Sequence, residues 1–307
     1  MLGDIFYWVF NMSLVASLVG LVILVLRTIQ PIPRRAIAWI WLALPIRLLI
    51  PIGISGRYSL MAWLSHIRMR TVTPPMLEGS ILQDITTMTN FAMLAKDYSP
   101  IVYTQDIFQD VFFWAGVIWL SVAILLIAAI VTVYVLTALE CRRAEFYADG
   151  VYLSHSIHSP IVFGLVKPRI VLPHTVRACD LTYILLHEKA HIRRCDNWIR
   201  LAAILITAFH WFNPLCWYFL KLMLADRELA CDETVAAKLT SEERKAYARA
   251  LVETETASHK LASSFGNTGL KARISRILTY SKLSICSIAA SILLVLTMAY
   301  FLLTNAP

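Results

Sequence analysis

Charge is what this 307-residue chain has least of: Asp, Glu, Lys and Arg together make up 16% of it, against 58% hydrophobic residues. Soluble domains carry about a quarter charged residues, so an ordinary soluble domain is excluded and a membrane protein is implied. No Cys-x-x-Cys pair occurs among the six cysteines, and Cys141, Cys179, Cys195 and Cys231 fall in the most basic part of the chain. No disulfide framework is expected. No Lys or Arg precedes Arg27, and no small-residue cleavage site follows the first apolar run. A removable signal peptide is therefore not expected, and that run reads as a retained span.

Four apolar runs approach or exceed the roughly 20 residues that cross a hydrocarbon core: 5–26, 36–54, 111–137 and 285–303. The short loop after the first holds Arg27, Arg34 and Arg35, which places it in the cytoplasm and the N-terminus outside. Residues 55–110 then form an external loop. Residues 138–284, with 20 of the 28 basic residues against 14 acidic ones, are cytoplasmic. Because these basic residues are scattered among carboxylates, they point to topology and anionic lipid rather than to direct nucleic-acid binding. Arg47, inside the second run, is expected to pair within the bundle. The expected organisation is a membrane region 1–137, a cytoplasmic domain 138–284, and a last span in 285–307 that leaves only Thr304 to Pro307 outside.

Within the cytoplasmic part stands His187-Glu188-Lys189-Ala190-His191, directly after Ile184-Leu185-Leu186. On a helix the two histidines lie one turn apart on one face, where neutral imidazoles can share a zinc ion. Glu188 reaches a metal-bound water without binding the metal, the position a general base needs. This is the HExxH pattern. Glu228 and Asp232, one turn apart in DRELACDE, supply a carboxylate ligand and a hydrogen-bond partner for a ligating imidazole. Asp196 is a second such partner. The combination is the gluzincin arrangement. Cys195 and Cys231 are each close enough in sequence to His191 or Glu228 to approach the metal, although buried free thiols are the commoner case.

The remaining elements follow from pattern. Gly150 to Ile157 is rich in β-branched and aromatic residues, and 161–164 with 169–172 reads as a hairpin whose edge suits an extended peptide substrate. A single crossing by the apolar stretch 199–224 would part His191 from Glu228. The break at Asn213-Pro214 therefore implies a re-entrant or membrane-surface helical hairpin, with His210 a polar contact in the break or a site residue. Thr240-Ser241-Glu242-Glu243 resembles a capping box opening a helix to about Thr256, on which Tyr247 is either packed or a donor to a developing oxyanion. Ser258 to Gly269 reads as an exposed loop.

The stretches SPIVFGLVKPRIVLP, LLHEKAHIRRCDNW, HWFNPLCWYF and DRELACDETV resemble, in order, the integral-membrane zinc peptidase domain of the BlaR/MecR sensor-transducer family. The resemblance implies a mainly α, multi-pass membrane protein with four transmembrane helices and a cytoplasmic gluzincin-type α+β zinc protease domain. It implies one Zn²⁺ per chain on His187, His191 and Glu228, with Glu188 as base and Asp232 behind the ligands. Family members sense a cell-wall antibiotic outside, activate the inner protease, often cleave themselves, and cause loss of a cytoplasmic transcriptional repressor. Receptor-type members also carry an extracellular penicillin-binding domain after the last span. No counterpart of it and no Ser-x-x-Lys nucleophile stands here, so the expectation is that either the sensor is absent or loop 55–110 or a partner does the sensing. Self-cleavage is expected in 258–269, at Ser264-Phe265, where a small exposed residue meets an apolar one. The expected partners are a protein or peptide substrate such as a repressor, the lipid bilayer of a bacterial cell membrane, and a second copy of the chain. A quality-control zinc protease and a non-catalytic transducer with a structural zinc are the competing readings.

Overall fold

The computed structural model describes residues 2–29, 32–50, 60, 106–148, 150–258, 267–281 and 284–304. Loop 55–110 therefore falls outside the described residues except for Leu60 and its last few positions, and Ser264-Phe265 lies outside them altogether.

Mostly helical, the chain runs α1 (Leu2–Thr28), α2 (Arg34–Ile40), α3 (Ala43–Leu49), α4 (Asp106–Arg142), four strands, then α5 (Ala178–Arg193), α6 (Asp196–Phe209), α7 (Pro214–Ala236), α8 (Ser241–Ser258), α9 (Asn267–Leu278) and α10 (Ile285–Leu303). Among the described residues three helices are long and apolar enough to cross a membrane: α1, the 110–142 part of α4, and α10. α1 packs along α4, and its Gly20 lies so close to Phe219 of α7 that a Cβ there would fall 2.2 Å from the ring. Only a residue without a Cβ permits that approach.

The second apolar run, expected as one span over 36–54, is instead two seven-residue helices with a turn at Trp41–Leu42. Pro45 is the cause. It has no N–H to give to the Trp41 carbonyl and its ring crowds that position, so the chain tightens, with Leu42 bonded to Trp39 and Leu44 to Trp41. Arg47 on α3 is buried and donates to the Leu303 carbonyl at the end of α10 (2.9 Å), which satisfies an open helix terminus inside the bundle.

α6 and α7 form a helical hairpin that turns at His210–Asn213. Pro214 opens α7 at a position where its missing N–H costs nothing, and the Asn213 side chain caps the helix by accepting from the Leu215 N–H. The Asn213 amide also donates to Ser13 and Ser17 of α1 (2.7 and 2.8 Å), fastening the turn to the first helix. His210 is buried there, with Nδ1 3.0 Å from the Ile206 carbonyl, and takes no part in the site.

The sheet has the order β1-β2-β4-β3. β1 (Glu145–Ala148) pairs antiparallel with β2 (Val151–Ser154), β2 parallel with β4 (Arg169–Pro173), and β3 (Ile161–Phe163) antiparallel with β4. β1 is one strand more than the pattern of the sequence suggested. Its side chains are exposed along their whole length, so no apolar alternation marks it.

Candidate metal centre

α5 has three working faces. Tyr183, Leu186 and Ala190 pack against Cys231, Val235 and Tyr247 on one side, while Ile184, Leu181 and Ile192 pack against the sheet on the other. His187 and His191 fall on the stripe between, both buried, and α7 brings Glu228 up to them. The Nε2 atoms of His187 and His191 are 3.1 Å apart, and Glu228 Oε2 is 3.6 Å from each. Ligands held at about 2.0–2.1 Å in a tetrahedron lie roughly 3.3 Å from one another. The triangle therefore fits a small divalent cation, with the Arg273 guanidinium close by, 3.5 Å from His187 Nε2 and 3.7 Å from Glu228 Oε2. Its remaining carboxylate oxygen, Oε1, is held by Arg200 (3.2 Å), so Glu228 presents one oxygen only.

Each imidazole is held from behind. His191 Nδ1 is 2.7 Å from Asp196 Oδ2, and Asp196 in turn is gripped by Arg227 and Arg194. His187 Nδ1 is 2.8 Å from the Tyr247 hydroxyl, which donates to Asp232 Oδ1 (2.6 Å), and Arg273 bonds both oxygens of Asp232 (2.7 and 3.0 Å). Since the Tyr247 proton is given to Asp232, the His187 Nδ1–H must be the donor to Tyr247. Both Nε2 lone pairs are thereby left facing the cleft, as metal binding requires.

Charge follows this wiring. Burial alone would raise the carboxyl of Asp232, but Arg273 and His187 bring it down to about 2. Burial likewise opposes ionisation of Asp196, yet His191, Arg194 and Arg227 hold it low. Although burial disfavours a charged imidazole, the bond to Asp196 and the nearness of Glu228 draw His191 up to about 11. Surroundings that attract a proton to these nitrogens also attract a cation between them. The two glutamates are driven apart: burial raises Glu188, whereas Glu228, against its burial, is held well below the usual range by the two imidazoles. One carboxylate is thus set to hold positive charge and the other to take and keep a proton.

Two side chains with alternative roles lie close by. Tyr247 was a candidate oxyanion donor, but its proton is committed to Asp232, and it stands between that carboxylate and His187. Cys195 is exposed and occupies the left-handed turn between α5 and α6 (φ 54°), where it swings Asp196 back towards His191 and reaches no metal position. Cys231 does come near: its sulfur and ring nitrogens of His187 and His191 lie within 4.8 Å of one another. Its thiol, however, points at the His187 carbonyl (3.6 Å).

The centre opens into a cavity of about 390 Å³ lined by Glu188, Arg200, Tyr247, Arg273 and the edge segment Ser159 to Val162. Strand addition to that edge is restricted, because Pro160 has no N–H and Asn197 already donates to the Val162 carbonyl (3.0 Å). Asn197, Arg200, Arg227 and Arg273 are site residues that sequence reasoning missed. Arg227 adjoins Glu228 and was within reach of inference; Arg273 lies far downstream, with no spacing to connect it to the motif.

Residues 7–277 match the family described as BlaR1 peptidase M56. The chain is 31% identical over 156 residues to the regulatory protein BlaR1 of Bacillus licheniformis, covering 47% of this chain and 26% of that protein. Over 117 residues it is 32% identical to the methicillin resistance mecR1 protein of Staphylococcus aureus (strain Mu50 / ATCC 700699), covering 36% of this chain and 20% of that protein. The matched stretches are thus about a quarter and a fifth of those relatives' lengths. With a family match that runs from α1 through α9 and encloses the whole centre, the chain belongs to the BlaR1 peptidase M56 family.

Proposed function

We propose that this protein is a membrane-embedded zinc endopeptidase that cuts peptide bonds at the cytoplasmic face of a bacterial cell membrane, as part of signalling in response to envelope stress or antibiotic. The single observation that carries this reading is the triangle of His187 Nε2, His191 Nε2 and Glu228 Oε2, with separations of 3.1 and 3.6 Å and Glu188 beside it on the cleft wall. When bound there, zinc would polarise the scissile carbonyl and bring the pKa of a water towards about 7. Glu188 would take a proton from the attacking water and deliver it to the leaving amine nitrogen, for which its raised proton affinity suits it. With the metal bound, His187 and His191 would be neutral, their rings fixed through their Nδ1 bonds, and Arg200 would keep Glu228 turned to it.

The topology belongs to the same proposal. The domains are a membrane region 1–137, a protease domain 138–284 in the cytoplasm with hairpin 199–224 at the membrane, and a fourth span in 285–303, with the N-terminus outside. The broken helix pair α2–α3 serves as the second of the four spans. Substrates in this reading are the chain itself, at Ser264-Phe265, and a cytoplasmic transcriptional repressor of the kind implied by the family. No direct contact with nucleic acid is part of it.

The test is to reconstitute the wild type and Glu188→Gln in lipid, measure bound zinc, and follow cleavage of the chain and of a neighbouring repressor. One zinc in each, with one or two defined cuts by the wild type alone, supports the proposal. Many dispersed cuts point to quality control, and zinc without any cut points to a structural site.

A further inference from the structure

Behind the metal centre, on the side towards the membrane helices, is a second, smaller cavity of about 100 Å³ lined by Arg35, Ala38, Trp39, Arg194, Arg227 and Thr234. Three guanidinium groups from three separate elements, α2, the α5–α6 turn and α7, meet around it. The neighbouring carboxylate is Asp196, bonded to Arg227 and 3.4 Å from Arg194. Glu233, also near, accepts from the backbone N–H groups of Arg34 and Arg35 and lies 3.7 Å from Arg276, while its main-chain carbonyl receives the Arg35 side chain. Three guanidinium groups against these two carboxylates leave positive charge in excess. Arg35 and Arg227 each also keep a buried Nε–H with no hydrogen-bond partner among the described residues. Arg227 is 5% exposed, and an orphaned donor on a buried cation is costly unless an anion answers it.

Space and chemistry agree on the anion. One water needs roughly 10–15 Å³ of such volume, so the cavity takes something several times larger. Planar forks of guanidinium donors match the oxygens of a phosphate. Arg35 and Trp39 also line an adjoining groove of about 400 Å³, whose other walls are Pro33, Ala36, Ile288, Ser291, Ile292, Val295 and Leu296 of α2 and α10. That groove is almost wholly apolar, runs along a helix apolar enough to cross a membrane, and is flanked by Trp39, 58% exposed. A phosphate site continuous with an apolar groove at the end of a membrane helix is the shape of a lipid site.

We propose that the Arg35–Arg194–Arg227 cavity binds the phosphate of an anionic phospholipid whose acyl chain lies in the α2–α10 groove. A choline headgroup is disfavoured, because its cation would face three arginines. Two of these arginines also hold the partner of His191, so the bound phosphate sits directly behind the metal centre.

Native mass spectrometry of the full chain, taken from bilayers of mixed phosphatidylcholine and phosphatidylglycerol, tests this. The wild type is expected to retain one phosphatidylglycerol and no phosphatidylcholine. Arg35→Gln should weaken retention about tenfold. Ile292→Trp, at an exposed position that fills the groove and leaves all three arginines, should weaken it as well. Thermal unfolding of both variants, expected to match the wild type, reports on folding. Equal retention by wild type and both variants, or retention by none, overturns the proposal. If phosphatidylglycerol is not retained but inorganic phosphate raises the unfolding temperature in an Arg35-dependent way, the cavity takes free phosphate and the lipid assignment is overturned.

Discussion

His191 Nδ1 and Asp196 Oδ2 are 2.7 Å apart although a helix end lies between them. α5 stops at Arg193, Cys195 takes a left-handed conformation, and α6 starts at Asp196, so the new helix opens with its first side chain folded back on the metal-facing histidine. This pair makes the position of the His191 ring dependent on the turn. Asp196→Asn is expected to lower zinc affinity by about 10- to 100-fold, measured by competition with a chromophoric chelator. Unchanged affinity would show that the carboxylate does not hold the ring.

The turn itself yields a second prediction. Cys195 is not glycine yet sits at φ 54°, a region that costs an ordinary residue roughly 1–2 kcal/mol. Cys195→Gly should therefore raise stability by about 1 kcal/mol in chemical or thermal unfolding, less a little for the added freedom of the unfolded chain. Zinc content should not change. Loss of zinc in this variant would instead make Cys195 a ligand.

Tyr247 separates two roles that its position in a sequence cannot. Its hydroxyl bridges His187 and Asp232, so Tyr247→Phe should weaken zinc binding roughly tenfold or more and leave turnover near normal once zinc is saturating. A fall of about 10²- to 10³-fold at saturating zinc is what loss of an oxyanion donor would give, and it would place the hydroxyl on the substrate side.

Arg273 faces Asp232 with two short bonds while Asp232 is 1% exposed. Arg273→Leu leaves a buried carboxylate without its countercharge, which should cost about 3–5 kcal/mol and be visible as a large drop in unfolding temperature. Paired replacement with Asp232→Asn should recover part of the loss. A variant Arg273→Leu as stable as the wild type would contradict the coupling.

These residues also show what was legible from the chain and what was not. Local periodicity exposed the histidines and Glu188, since a helix turn fixes their spacing. The need to return Glu228 to the same side as His191 exposed the hairpin break at Asn213-Pro214. Long-range wiring left no such mark. Arg273 and Tyr247 reach His187 from helices α9 and α8, whose contacts are settled by packing alone, and the second apolar run was expected as one span although Pro45 divides it. β1 carries no buried face and so no alternation. For Arg273 and Tyr247 the missing signal is one that only tertiary contact creates, whereas the break at Pro45 is local and β1 lacks a buried face to mark it.

Zinc K-edge X-ray absorption on the full chain in lipid tests the account of the centre most directly. It predicts two imidazole nitrogens and light oxygen ligands, all near about 2.0–2.1 Å, with no sulfur. A sulfur scatterer at about 2.3 Å would bring Cys231 into the coordination sphere and contradict the open catalytic site built on Glu228.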